Sequence, residues 1–401
     1  MGGLASTEQD CVERAAAEPM LAQVEAWAAV NSGSRNLAGL AEMARLLADA
    51  FSTLPGELAL VEPAASDAVD SNGNRFQVEH GRNIHVRVRP EAPVQLLFTG
   101  HMDTVFAADH PFQATSWLED GVLGGPGVAD MKGGIAVMLA ALTAVEASGI
   151  GNLGYEIVLN SDEEVGSPGS TALIAQAAHG KRAALTYEPA ALPDGTLAGA
   201  RPGSGNFAFV VRGRSAHAGR NPEDGRNAIV ATADLALRLE NAKRGGLAIN
   251  PARIDGGGPN NVVPDLAILH VNLRPATPED EQAAQSLIES TLALVAAEHD
   301  VAIDAHGGFG RPPKPMTAEA EALFNLVKQA GADLGQQVGW QATGGVCDGN
   351  NIAACGVPVV DTMGVRGGKI HSAEEYLIVD SLAERAALSA LTILRLAGER
   401  A

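Results

Sequence analysis

Apolar residues recur along this chain at two spacings. Over 19–30, 37–51 and 133–147 they return every three to four residues, the period of a helix that buries one face. Between such stretches lie short runs rich in Val, Leu, Ile and Phe, at 94–98, 155–160 and 183–187, which predict buried strands. A further helix is predicted over 170–178. Strands alternating with helices imply a parallel or mixed sheet covered on its faces. From 192 to 205 Gly, Pro and Ala replace the periodicity, which suits a crossover. Beyond it the pattern predicts a strand at 207–212, a helix at 227–241 and a strand at 266–273. A helix at 279–298 and a strand at 301–305 complete a block able to form its own small α+β sheet. Arg311-Pro312-Pro313-Lys314-Pro315 makes a stiff hinge. After it a helix at 318–334, a strand at 357–361 and a helix at 379–396 restore the first texture. The expected fold is α/β: a larger domain, 1–198 and 312–401, with a mixed, mostly parallel sheet flanked by helices, and a smaller α+β domain inserted at 199–311.

Composition narrows the function classes. The 401 residues suffice for two domains at roughly 100–200 residues each. With 46% hydrophobic and 19% charged residues the chain can bury a sizeable core and is not disordered. Asp plus Glu (48) exceed Lys plus Arg (28), a formal net charge of −20 that repels phosphate backbones and argues against nucleic-acid binding. Cys11, Cys347 and Cys355 form no disulfide framework, which fits a reducing cytoplasm. No apolar run approaches the ~18 residues of a membrane span, and the N-terminus lacks the pattern of a signal peptide. Gly2 and Ser6 satisfy the loose myristoylation pattern, which nothing else along the chain supports. Neither a P-loop nor a dinucleotide fingerprint is present, which disfavours a nucleotide-dependent oxidoreductase.

Chemistry in open α/β sheets gathers at the carboxyl ends of strands. Three predicted strands end in metal-binding side chains: His101-Met102-Asp103, Asp162-Glu163-Glu164 and Glu188. A Gly-rich segment from Gly124 to Gly134 adds Asp130, and Lys369-Ile370-His371-Ser372 adds a second imidazole. Singly, each is more often a cap or a surface residue. Together, two His and three carboxylates suit a pair of divalent ions, most naturally Zn²⁺. In His101-x-Asp103 the two side chains share one side of an extended backbone, so the Asp103 carboxylate can accept the second ring N–H of His101. Glu163 and Glu164, adjacent on an extended backbone, would diverge, one towards metal and one towards a bound water.

The chain resembles the dizinc peptidases that include carboxypeptidase G, aminoacylase and the acetylornithine or succinyl-diaminopimelate deacylases. The resemblance rests on Gly100-His101-Met102-Asp103-Thr104-Val105, Gly125-Pro126-Gly127-Val128-Ala129-Asp130-Met131-Lys132-Gly133-Gly134 and Asn160-Ser161-Asp162-Glu163-Glu164-Val165-Gly166-Ser167. It continues through Tyr187-Glu188-Pro189, Gly213-Arg214-Ser215-Ala216-His217-Ala218-Gly219, Asn260-Asn261-Val262-Val263-Pro264 and His371-Ser372. Glu188-Pro189, with Gly344-Gly345 before Asp348, makes the carboxypeptidase G branch most similar.

The resemblance implies two Zn²⁺ per subunit, with Co²⁺ or Mn²⁺ as possible substitutes. Asp130 would bridge them, His101 and Glu188 completing one site, Glu164 and His371 the other. Glu163 would be the general base, Asp103 the orienting acid, and the peptide bond after Asp130 cis. Two cations (+4) against three carboxylates (−3) favour ionisation of a bridging water to hydroxide, whose proton Glu163 would take. His217 would stabilise the oxyanion from a partner subunit, the inserted domain serving as lid and dimer contact. Arg274, Asn261, Gly345 and Arg311 are candidates for holding a substrate carboxylate, for which Arg has the right planar geometry. Cys347 replaces the Ser or Thr usual after Gly-Gly-x, and a metal-activated water makes it superfluous as a nucleophile. The expected activity is hydrolysis of an amide bond to release a C-terminal amino acid, glutamate among the candidates, from a small peptide or N-acyl amino acid. The alternative is a deacylase of the acetylornithine or succinyl-diaminopimelate type. A metal-free binding protein is disfavoured because every expected ligand is present.

Overall fold

In the computed structural model, which describes residues 3–398, the chain builds two principal sheets with separate cores. The larger has six strands in the spatial order Glu57–Val61, Asn83–Val88, Leu153–Asn160, Val94–His101, Ala183–Thr186, Val359–Val360. The last four are mutually parallel, and the first two complete an antiparallel edge. The largely apolar runs arise because helices cover both faces. Leu96, Phe98, Tyr155 and Ile157 face one core, beneath helices Gly134–Ala147 and Asp380–Gly398. Leu97, Val158 and Ala184 face the other, against helices Thr171–Ala178 and Asp348–Ala354. The stretch Val128–Ala147 is long and apolar enough to cross a membrane, but 94% of its apolar window is buried inside the protein, as a core helix.

The smaller sheet is antiparallel, in the order Leu247–Gly256, Leu266–Pro275, Ser204–Arg212, Ala302–Arg311. Helices Ala228–Asn241 and Pro278–His299 close one face over Phe209, Val211, Leu235, Leu269 and Ile288. The connectivity is therefore βαββαβ, with one strand more than the apolar pattern predicts. Leu247–Gly256 escapes prediction because it is a sheet edge carrying Asn250, Pro251, Arg253 and Asp255, the polar residues that keep edges from pairing further.

Before residue 90 the pattern predicts two helices, whereas the structure also has helix Ser6–Ala17 and four strands, Glu57–Val61, Ser66–Val69, Arg75–Val78 and Asn83–Val88. Of these, Asn83–Val88 carries a readable alternation, burying Ile84, Val86 and Val88. The myristoylation pattern at Gly2 lies outside the described residues. Cys11, Cys347 and Cys355 are all unpaired.

Candidate metal centre and active site

The parallel strands deliver their carboxyl ends to one edge. His101 ends its strand, Glu188 follows Ala183–Thr186, and Glu163 and Glu164 follow Leu153–Asn160. Asp130 arrives on the Gly-rich loop, whose N–H groups at Gly127 (3.1 Å), Ala129 (2.9 Å) and Asp130 (3.0 Å) all donate to the buried Glu375 carboxylate. The Asp130–Met131 peptide bond is cis, as the resemblance implies. Glu375 is a functional residue that the sequence reading missed. It lies in the polar run His371-Ser372-Ala373-Glu374-Glu375, where nothing local distinguishes the buried acid from its exposed neighbour Glu374.

Asp130 stands between the two imidazoles. Its Oδ1 lies 3.1 Å from His101 Nε2 and its Oδ2 3.3 Å from His371 Nε2. Glu188 Oε2 is 3.7 Å from His101 Nε2, and Glu164 Oε2 is 3.1 Å from His371 Nε2. The structure thus brings the five sequence-predicted ligands into two triads sharing Asp130, each with its candidate donor atoms within 4.8 Å of one another. Imidazole nitrogens with carboxylate oxygens form a donor set for zinc or a similar divalent ion. Hydrogen bonds to Asp130 and Glu164 push His371 up to about 11, so this point in the fold favours positive charge, which a cation supplies. A third group, Asp234, Glu298 and His299, is also compact, but Arg238 already pairs with both acids at 2.9 and 2.5 Å.

Two local expectations need correction. Glu163 and Glu164 are not extended but begin a single 3₁₀ turn, Glu163–Val165. Its free N–H groups are capped by Asp103, whose Oδ1 accepts from Glu163 N (3.1 Å) and Oδ2 from Glu164 N (3.2 Å), with Ser34 Oγ also donating to Oδ2 (2.7 Å). The two side chains still diverge, Glu164 to His371 and Glu163 to Arg311. Because its carboxylate is engaged there, Asp103 meets His101 Nδ1 chiefly through its backbone carbonyl, at 3.0 Å, while Oδ1 stands at 3.4 Å. Donation to that carbonyl places the proton on Nδ1 and leaves the Nε2 lone pair for a metal.

A cavity of about 240 Å³ opens over the cluster, lined by Asp130, Glu163, Glu188, Arg201, Gly345 and His371 among others. Burial raises the Glu163 carboxyl well above the ordinary carboxylate range, with the Arg311 guanidinium pulling the other way. Arg311, expected as a candidate for holding a substrate carboxylate, is buried, and both of its Nη atoms are engaged within the chain. Its Nη1 donates to Asp348 and to Asn351 Oδ1 (2.8 Å), its Nη2 to Glu163 Oε1 (2.6 Å) and Ser167 Oγ (3.0 Å). Arg274 reaches from its strand to the Gly344 carbonyl at 2.8 Å, beside Gly345 on the cavity wall. Arg201, which the sequence reading did not single out, donates to the Gly345 carbonyl at 3.1 Å and forms two hydrogen bonds to Asp361 (2.8 and 3.1 Å). Its signal was hidden in the aperiodic crossover. His217 and Asn261 are exposed and lie beside each other on the smaller domain, where Ala216–His217 pairs with Val262–Val263; neither lines the cavity of its own chain. His217 Nδ1 accepts the Gly219 N–H at 3.1 Å, which leaves Nε2 as an outward donor.

The sequence profile of peptidase family M20/M25/M40 matches residues 97–395. The chain belongs to peptidase family M20/M25/M40. As a member of this family it is an enzyme, a metal-dependent hydrolase of peptide or amide bonds. Carboxypeptidase G2 of Pseudomonas sp. (strain RS-16) is 33% identical over 326 residues, covering 79% of this chain and 77% of the relative. The succinyl-diaminopimelate desuccinylase of Marinobacter nauticus is 27% identical over 332 residues, covering 78% and 85%. Among solved structures, aminopeptidase PepT of Bacillus cereus superposes with a TM-score of 0.72 at 23% identity, over 96% of this chain and 99% of that one. These similarities place the M20/M25/M40 fold over nearly the whole chain.

Proposed function

We propose that this peptidase releases a C-terminal amino acid, glutamate being the first candidate, from a small peptide or N-acyl amino acid. The observation that carries this is Asp130, whose two carboxylate oxygens face separate His/Glu pairs beside Glu163 in a cavity sized for a small molecule. The similarity to carboxypeptidase G2 supports the substrate class. His101, Asp130 and Glu188 would hold one Zn²⁺, and Asp130, Glu164 and His371 a second, with Co²⁺ or Mn²⁺ able to replace them. Bound there, two divalent ions make a water acidic enough to ionise near neutral pH and polarise the scissile carbonyl.

The chain's own residues do the rest. Arg311 bonds Glu163 Oε1, so Oε2 is the oxygen that takes the proton from the attacking water and returns it to the leaving amine. Residues 199–311 act as lid and dimer contact, Arg274 and Gly345 holding the substrate's carboxylate end together with Asn261, which, lying beside His217, reaches it from the partner subunit. His217 Nε2 donates to the developing oxyanion in the partner subunit, in keeping with its absence from the cavity of its own chain. The unpaired cysteines agree with action in the cytoplasm.

The testing experiment is a panel of N-acylglutamates, dipeptides, acetylornithine and succinyl-diaminopimelate assayed with zinc, scoring which amine is freed. Preference for an acylglutamate supports the proposal. Preference for acetylornithine or succinyl-diaminopimelate installs the deacylase reading, which the desuccinylase similarity favours. A second prediction concerns His217. Exchanging subunits between inactive H217A and E163Q dimers should restore about a quarter of wild-type activity, because half the dimers are mixed and each has one intact site. No recovery would confine His217 to its own chain.

A further inference from the structure

Arg311 is the last residue of the smaller sheet, on strand Ala302–Arg311, yet its side chain is buried among groups of the larger domain. The two chain crossings between the domains run side by side there, Arg201 and Lys314 exchanging backbone N–H···O bonds of 2.9 Å in each direction. Helix Asp348–Ala354 grips both crossings. Asn350 Nδ2 donates to Pro202 O at 2.9 Å and to Pro312 O at 2.7 Å, and Asn351 Nδ2 donates to Gly310 O at 2.9 Å. Asp348 anchors this clamp to the larger sheet: its Oδ1 accepts from Arg311 and from Ser167 Oγ (2.6 Å), its Oδ2 from Asn160 Nδ2 (2.8 Å). From this web one side-chain contact reaches the reacting centre, Arg311 Nη2 to Glu163 Oε1 at 2.6 Å.

We infer that Arg311 is a positioning residue for Glu163, holding one carboxylate oxygen so that the other is aligned for proton transfer, and tying that alignment to the interdomain hinge through Asp348, Asn350 and Asn351. The inference rests on reading Glu163 as the general base. The physical grounds are geometric. A Glu side chain free to rotate about three torsions loses the near-attack placement on which proton transfer depends. A planar guanidinium with five donors can join Glu163, Asp348, Asn351 and Ser167 at once, whereas an ammonium is a point donor that cannot span them. The same engagement occupies both Nη atoms of Arg311, the pair a substrate carboxylate would need for a fork-to-fork contact.

The test uses metal-loaded R311K and D348N enzymes, with E163Q beside them, on N-benzoylglutamate and its α-carboxamide. R311K keeps the charge but not the fork; D348N keeps the shape but removes the charge that pairs with Arg311 and turns an amide donor towards either Arg311 or Asn160, which weakens the anchor, so the pair serves if one variant folds poorly. The expected result is a fall in kcat of about 10²-fold in each, with KM within about twofold, metal content unchanged and the preference for free acid over amide intact. A raised KM with kcat retained, or loss of the acid preference, would instead make Arg311 the carboxylate receptor and overturn the inference. So would loss of metal, or wild-type kcat in both variants. If E163Q turns over normally while R311K does not, the base reading fails; if E163Q is dead and R311K is normal, the positioning role alone fails.

Discussion

Replacing Glu163 by Gln is expected to lower turnover by about 10²–10⁴-fold while metal content stays at the wild-type level. The change is nearly isosteric and keeps the acceptor oxygen that Arg311 binds, but it removes the group able to carry a proton. Glu163 belongs to neither triad of ligand atoms, which is why metal should be retained. Turnover with kcat measured under saturating substrate, and metal by atomic absorption on the same sample, check both halves. KM should move little, since a proton carrier acts mainly in the transition state. Should the metal leave with the activity, Glu163 would be a ligand and its neighbour Glu164 the better candidate for the base.

Asp130→Ala is expected to abolish activity and to take both metals with it. Asp130 is the one side chain present in both triads, its two oxygens 3.1 and 3.3 Å from different imidazoles. H371A, by contrast, should weaken one site and leave the other, because His101 and Glu188 are untouched. Folding supplies a second readout that does not depend on activity. A ligand bound only to the native state stabilises it by RT ln(1 + [L]/Kd), about 2.7 kcal/mol at a hundredfold excess over Kd. Adding zinc to the chelated wild-type protein should therefore raise its thermal midpoint. The rise should be absent in D130A and partial in H371A. A D130A protein that holds two metals would remove Asp130 as the bridge and with it the dinuclear reading.

Much of this molecule was written in local patterns. The runs at 94–98, 155–160 and 183–187 are apolar at most positions and on both faces, because the strands they form are covered on both sides, and such runs announce themselves. The Gly-rich loop, His101-x-Asp103 and the Glu163-Glu164 pair were visible because metal binding needs particular side chains at strand ends. Sequence could not supply the partners that arrive from afar. Glu375 caps the Asp130 loop across 245 residues, and Arg311 reaches Glu163 across 148. Nothing in the local composition of either partner encodes such a contact, since it depends on which surfaces the fold presses together. Polar edge strands such as Leu247–Gly256 stayed hidden for the opposite reason: half their residues face water and break the apolar signal.

Residue types, their order and their spacing by themselves determined the fold class, the inventory of five candidate ligands and the presence of a candidate base. Those properties follow from side-chain chemistry and from the period of each element, both of which are local. Tertiary structure alone decided that Asp103 caps the Glu163–Val165 turn, that Arg311 is buried beside Glu163, and that His217 stands away from the cavity of its own chain. Each of those is a matter of which hydrogen-bonding groups remain unmet when the sheets and helices pack, and that is settled only when the whole chain has closed on itself.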